Sequence, residues 1–202
     1  MRRWRSIHHY TRLFRRHPQI RYEGAIHEQI ADSIRALGLE IVDSPLAIRH
    51  YGYSEHSPEK IERNSELLRR ELQLHPNDPW LTYHLGITEF AAKHYKEANE
   101  LLEAIVASQE LTAEQTETAR LRLAQIALVE GRTDRSYERL NFTSNDVHRE
   151  GLRCFVLGSC LALDHKFTDA VAMYSSPAVA ASRLVNQVEL HTFKNGISQF
   201  LK

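Results

Sequence analysis

His27 and Glu28 stand side by side in the stretch IRYEGAIHEQI (residues 20–30), and they are the chain's best candidates for catalytic chemistry. An imidazole that titrates near neutrality, next to a carboxylate, can orient a hydroxyl or ligate a metal. The stretch alternates like a β-strand, on which neighbouring side chains point to opposite faces, so only one of the pair reaches a site. Gly24, just before them, lets backbone come close to a substrate. The competing reading is a structural pair at a strand end. His50, ahead of Gly52, reads either as a site residue or, in the favoured reading, as a satisfied histidine, and the adjacent His8 and His9 lack the converging Cys or carboxylate ligands of a metal site.

Arg12, Arg15 and Arg16 form the second constellation. Guanidinium forks match phosphate oxygens, so the three suit a nucleotide diphosphate. With Trp4, Tyr10 and Phe14 interleaved they also suit nucleic acid. The favoured reading is a solvated basic face. Lys+Arg and Asp+Glu balance at 26 each across 202 residues, which argues against nucleic-acid binding by the chain as a whole. Seven arginines precede the first acid, Glu23, so the remainder is net acidic by seven.

Two cysteines, Cys154 and Cys160, are too few for a secreted disulfide scaffold; they read as small apolar packing residues and favour a reducing cytoplasm. No apolar run of about 18 residues exists, so no membrane span is expected. The start MRRWRSIHHYTRLF is Arg-rich like a mitochondrial presequence but has no apolar core of signal-peptide length.

The elements around these residues repeat. Leu85-Gly86 recurs as Leu123-Ala124 and as Leu157-Gly158, at spacings of 38 and 34. Tyr95, Ala98 and Leu102 follow the first landmark as Phe167, Ala170 and Tyr174 follow the third. The middle unit has Gly131 at its turn and Ser136 where alanine is expected. Small residues let two antiparallel helices approach, and a pair that cannot bury its own apolar face must stack on a neighbour. From about Glu59 onward the chain resembles the tetratricopeptide (TPR) family, whose period is about 34. The fold class expected is mainly α: a TPR-type α-solenoid over 55–202, made of a half unit at 55–78, units at about 79–112, 117–150 and 151–184, and a terminal helix at 183–202. That last segment carries Phe193, Ile197, Phe200 and Leu201 where a capping helix would be polar, so it is expected to meet a partner or a further unit.

The TPR resemblance implies a groove lined by the first helix of each pair. Its inward positions are Trp80, Tyr83, Ile87 and Phe90 in the first unit and Thr118, Leu121, Gln125 and Leu128 in the second. In the third they are Leu152, Phe155, Ser159 and Ala162. The set is apolar and aromatic and lacks the Lys/Asn/Arg carboxylate clamp of chaperone-binding relatives. It suits an apolar peptide, a stacked sugar or another domain.

Four blocks place the N-terminal stretch. They are Arg12-Leu13-Phe14-Arg15; Ile20-Arg21-Tyr22-Glu23-Gly24-Ala25-Ile26-His27-Glu28; Ile48-Arg49-His50-Tyr51-Gly52-Tyr53; and Lys60-Ile61-Glu62-Arg63-Asn64 followed by Leu67-Leu68. Their order and spacing resemble a set of bacterial family-2 glycosyltransferases that carry TPR repeats after the catalytic domain. The resemblance implies that residues 1–54 are a short α+β remnant, strands plus loop, of a GT-A-like domain. It also implies that the nucleotide-binding strand and the Asp-x-Asp metal pair lie outside this chain, where no D-x-D occurs. A nucleotide sugar and a divalent metal are thus expected only for an intact parent enzyme, and no cofactor or metal site for this chain. Its partners are expected to be a protein or peptide, the missing catalytic half, or a second copy. The rival expectation is a stand-alone TPR adaptor without enzymatic role.

Overall fold

The computed structural model describes residues 11–23, 29–46 and 57–200. The chain divides into two compact units, with the boundary between Glu71 and Leu72. It is mainly helical, and the described residues contain ten helices and no strand.

In the first unit, helix α1 (Ala31–Arg35) is short and α2 (Pro58–Leu74) runs across the unit boundary. Ile30, Ser33 and Ile34 are buried. The Ser33 hydroxyl donates to the Arg21 carbonyl (2.9 Å) and accepts from the Arg21 amide (3.1 Å), tying the incoming chain to α1. Where the alternation predicts strands, the described residues form one isolated antiparallel bridge, in which Glu23 and Gln29 exchange backbone bonds of 2.8 and 2.9 Å. One rung is too little to count as a strand. His27, Glu28, Gly24, His50, Gly52, Trp4, Tyr10 and the His8-His9 pair lie outside the described residues.

The second unit is built of helical hairpins. Helices α3 (Pro79–Ala91) and α4 (Tyr95–Ser108), α5 (Ala113–Val129) and α6 (Thr133–Leu140), and α7 (Val147–Leu163) and α8 (Phe167–Tyr174) pack pairwise. Each hairpin packs on the next through α3 against α5 and α5 against α7, and α4 and α6 also touch the first helix that follows them. A short α9 (Pro177–Ala181) lies on α7, and α10 (Gln187–Ser198) lies on α8.

The three hairpin turns share one hydrogen-bond pattern. His94, Arg132 and Lys166 each donate their amide to the carbonyl five residues back, on Glu89, Ala127 and Leu161. The preceding residues, Lys93, Gly131 and His165, bond three back. This is the Schellman ending of a helix, and it needs a left-handed residue. Lys93, Gly131 and His165 supply it, with φ of 64°, 73° and 59°. Only Gly131 adopts that conformation without steric cost.

Within each hairpin a small residue sits at the closest approach. Ala98, Ser136 and Ala170 are fully buried, and Ala170 lies against Gly158. A methyl group added to Gly86 would stand 2.8 Å from Leu102, and one added to Gly158 the same distance from Tyr174. In the middle hairpin the Ser136 hydroxyl donates to the Ala124 carbonyl at 3.0 Å.

Helix starts are set by caps, and this moves two boundaries from those the period predicts. Asp78, Asp146 and Asn186 accept amide bonds at the starts of α3, α7 and α10, and Thr112 forms a reciprocal capping box with Gln115. So α5 begins at Ala113 and α7 at Val147, four residues ahead of the expected 117 and 151. The segment expected as one terminal helix at 183–202 is α10 alone, and Pro177 starts the separate α9.

The core has two clusters. One gathers Tyr83, Leu102, Ile105, Ala119 and Leu123; the other runs from Leu121 and Leu140 through Leu152, Val156 and Tyr174 to Leu190. Both cysteines are free, buried and part of the second cluster. Ion pairs tie the hairpins together, with Arg139 on Glu103 (2.7 Å) and Arg149 on Glu117 (2.7 Å) and Glu114 (2.8 Å).

Candidate functional site

The face shared by α3 and α5 is assembled from the start of α3 onward. Asp78 caps the helix by accepting the Leu81 amide at 2.9 Å, and Pro79 fills the first turn. This sets the register in which Trp80, Tyr83, His84, Ile87 and Phe90 recur. Trp80 is 37% exposed and packs on His84 with ring centroids 4.1 Å apart and the planes tilted by 47°. Tyr83 is buried, its ring 5.1 Å from His84. Burial pushes the Tyr83 phenol pKa up, while Thr118 and the Arg122 charge oppose the rise. Phe90 packs near Tyr95, and the Arg122 guanidinium lies 4.8 Å from its ring centre.

The expected groove residues separate into three groups. Trp80, Phe90 and Gln125 line the α3–α5 face, with Gln125 held by Arg122 at 2.7 Å. Tyr83, Ile87 and Leu121 are spent on packing, Tyr83 in one core cluster with the half-buried Ile87 against it and Leu121 in the other. Leu128 and Phe155 flank the larger cluster. The Phe155 ring lies between Tyr174 and Phe193, at 5.6 and 5.9 Å, and Ser159 bonds the Tyr174 hydroxyl at 3.0 Å. In the first unit, Arg12, Arg15 and Arg16 are exposed on a stretch without helix or strand.

Arg122 is the residue that counting groove positions misses. It lies one turn after Thr118 and three residues before Gln125, so it shares their strip of α5. Every other arginine held in the interior of this unit has an oxygen partner that fits its charge. Arg139, Arg149 and Arg153 pair with glutamates. Arg120 donates to the carbonyls of Arg139 and Asn141, both at 3.1 Å, and so closes the C-terminal end of α6. Among the described residues Arg122 has only the neutral Gln125 oxygen, and its Nε is buried without a partner. Burial accordingly lowers its pKa, though a guanidinium stays charged in a protein.

No family model, no curated protein and no solved structure matches the chain. Among the described residues, no three His, Cys, Asp or Glu side chains converge as a metal site would require, and no helix is long and apolar enough to cross a membrane.

Proposed function

We propose that residues from about 55 onward form a TPR-type solenoid that acts as a binding scaffold, and that its partner rests on the face of α3 and α5. The observation that carries this reading is the recurrence of one turn geometry at Lys93, Gly131 and His165, at the same spacings as the Leu-Gly landmarks. In arrays of this kind the first helix of each pair lines the concave side, which makes the exposed strip of α3 and α5 the surface for recognition. Trp80 and Phe90 on that strip are the side chains best suited to anchor a partner, since aromatic residues dominate binding surfaces.

The four sequence blocks between Arg12 and Leu68 support placing this scaffold in a family-2 glycosyltransferase-like protein, where it holds the acceptor or a partner protein. The donor nucleotide sugar and divalent metal belong in this reading to a catalytic half outside the chain. His27 and Glu28 are then acceptor-side residues of the remnant at 1–54. A stand-alone adaptor is the second reading, supported by the uncompensated cation and the aromatic residues of the α3–α5 face, which need no catalytic half.

Photo-crosslinking tests the scaffold. A benzoylphenylalanine at Trp80 is expected to give a discrete adduct in source cells, and one at the exposed Lys96 of α4 to give none. Equal or absent adducts at both positions would overturn the reading. An immunoblot against the repeats separates the two variants of it. A band well above 23.4 kDa supports the glycosyltransferase setting, and one at 23.4 kDa the adaptor.

A further inference from the structure

We propose that Asn195 is a site of spontaneous chemical modification, at which the Gly196 backbone nitrogen displaces the side-chain amide as ammonia and leaves an aspartate or isoaspartate in α10. Asn195-Gly196 is the one place in the sequence where an asparagine precedes a glycine. The attacking nitrogen therefore has no side chain beside it, and a methyl group built on Gly196 would meet nothing within 4 Å. Both residues are exposed. They lie in the last turn of α10, and helix ends fray. Glycine at this position weakens the turn further. The left-handed residue that locks the ends of α3, α5 and α7 is not supplied here by Gln199, the C-cap, which keeps a right-handed φ of −71°. The Asn195 amide donates to the His191 Nε2 at 2.9 Å, one turn back. That bond and the helical backbone hold the Asn195 Cγ away from the Gly196 nitrogen, so fraying of the last turn sets the rate.

The reaction consumes only water. As the Gly196 nitrogen bonds to the Asn195 Cγ, its proton passes through solvent to the leaving nitrogen, the Cγ–Nδ2 bond breaks and ammonia departs. Nothing is oxidised or reduced. The five-membered imide that remains takes up water at either carbonyl. Opening at one restores the main chain with an aspartate side chain, and opening at the other routes the main chain through Cγ and lengthens it by one atom. Both products disturb the packing of α10 on α8. An aspartate sets a negative charge at the negative end of the helix dipole. An isoaspartate shifts the register of everything after residue 195, where Ile197 is buried in the larger cluster and Phe200 stacks on Phe167 at 4.9 Å. Modification thus loosens the end of the array and uncovers Phe167.

The test uses the full chain, kept folded at pH 8 for several weeks and then digested with pepsin in acid, where the reaction is suppressed. Mass spectrometry of the peptide that holds Asn195 is expected to show the mass gain of an amide turned acid, with aspartate and isoaspartate forms separating on the column. The other six asparagines, each followed by a residue with a side chain, are expected to lag well behind. Gly196→Ala is expected to bring Asn195 down to their level, with circular dichroism checking that the variant folds. A folded chain that gains no mass at Asn195 would overturn the proposal, and so would a gain that survives unchanged in Gly196→Ala. Hydrogen exchange on the separated isoaspartate form then tests the consequence. The amides of α10 are expected to lose protection while those of α7 keep theirs, and equal protection in modified and unmodified chains would refute the loosening.

Discussion

The backbone of Gly151 in α7 lies so close against Ala178 in α9 that a methyl group on the glycine would stand 2.8 Å from the Ala178 carbonyl carbon. It would also stand 2.5 Å from the Ser182 Cβ. The obstacle is backbone, which cannot swing aside. Gly151→Ala is therefore expected to destabilise the protein by about 1–2 kcal/mol, overpacking outweighing the roughly 1 kcal/mol gain in helix propensity. Gly196→Ala in α10, where an added methyl meets nothing, is expected to raise stability by a few tenths of a kcal/mol. Urea unfolding of the two variants gives opposite shifts in midpoint, and a matching pair of shifts would contradict the packing described.

Asp146 supplies the second prediction. It caps α7 by accepting the amides of His148 (3.0 Å) and Arg149 (2.9 Å), and the Arg149 backbone bond holds its carboxyl pKa below the usual range. A carboxyl pKa lower in the folded than in the unfolded state gives stability that is present above about pH 4 and lost as pH falls through the folded pKa. Asp146→Asn keeps a capping oxygen but cannot titrate, so native and variant should differ at neutral pH and converge in acid. Asp146→Ala removes the cap and should cost about 1 kcal/mol at pH 7. A constant gap between native and Asn variant from pH 7 to pH 2 would refute the assignment.

Ser136→Ala is expected to change stability by less than about 1 kcal/mol. Ser136 takes a position that holds alanine in the other two hairpins, and its hydroxyl donates to the Ala124 carbonyl and accepts from the Cys160 thiol at 3.1 Å. Ala124 sits in mid-helix and keeps its helical bond without the serine, so deletion strands no strong polar group. Ser136→Val should cost about 1–3 kcal/mol by forcing α5 and α6 apart. Thermal melts of the pair decide the point.

Neither thiol should react in the native state. Cys160 is fully buried and Cys154 nearly so, and burial pushes both thiol pKa values up. A thiol-specific reagent at pH 8 should label the folded protein slowly and both cysteines at once in urea, since the thiolate is the reactive form. Rapid labelling of either cysteine under native conditions would contradict the burial described.

The hairpins are legible in the sequence because steric small-residue positions are local and periodic. Gly86, Ala98, Gly158 and Ala170 announce close approach by size alone, and each stands at a helix–helix contact. The turns are half legible. Gly131 marks its turn, whereas Lys93 and His165 take the same left-handed backbone without the residue that would signal it. Helix starts are displaced because a capping side chain overrules the period, as Thr112 and Asp146 do. The α3–α5 face is the least legible. Repeat positions put 118, 121 and 125 on it, but Leu121 turns into the core and Arg122 takes the strip. A helix with about 3.6 residues to the turn leaves such a choice open, and packing against α7 makes it.

Among the described residues the main contacts between hairpins run from each one to the next, and the polar ties of Glu103 to Arg139 and Glu117 to Arg149 follow the same rule. A structure linked in this way has no closing contact that fixes its number of parts. Duplicating or deleting one hairpin disturbs a single pair of neighbours, so array length can drift in evolution, and be altered in the laboratory, while the remaining turns and caps are left as they are.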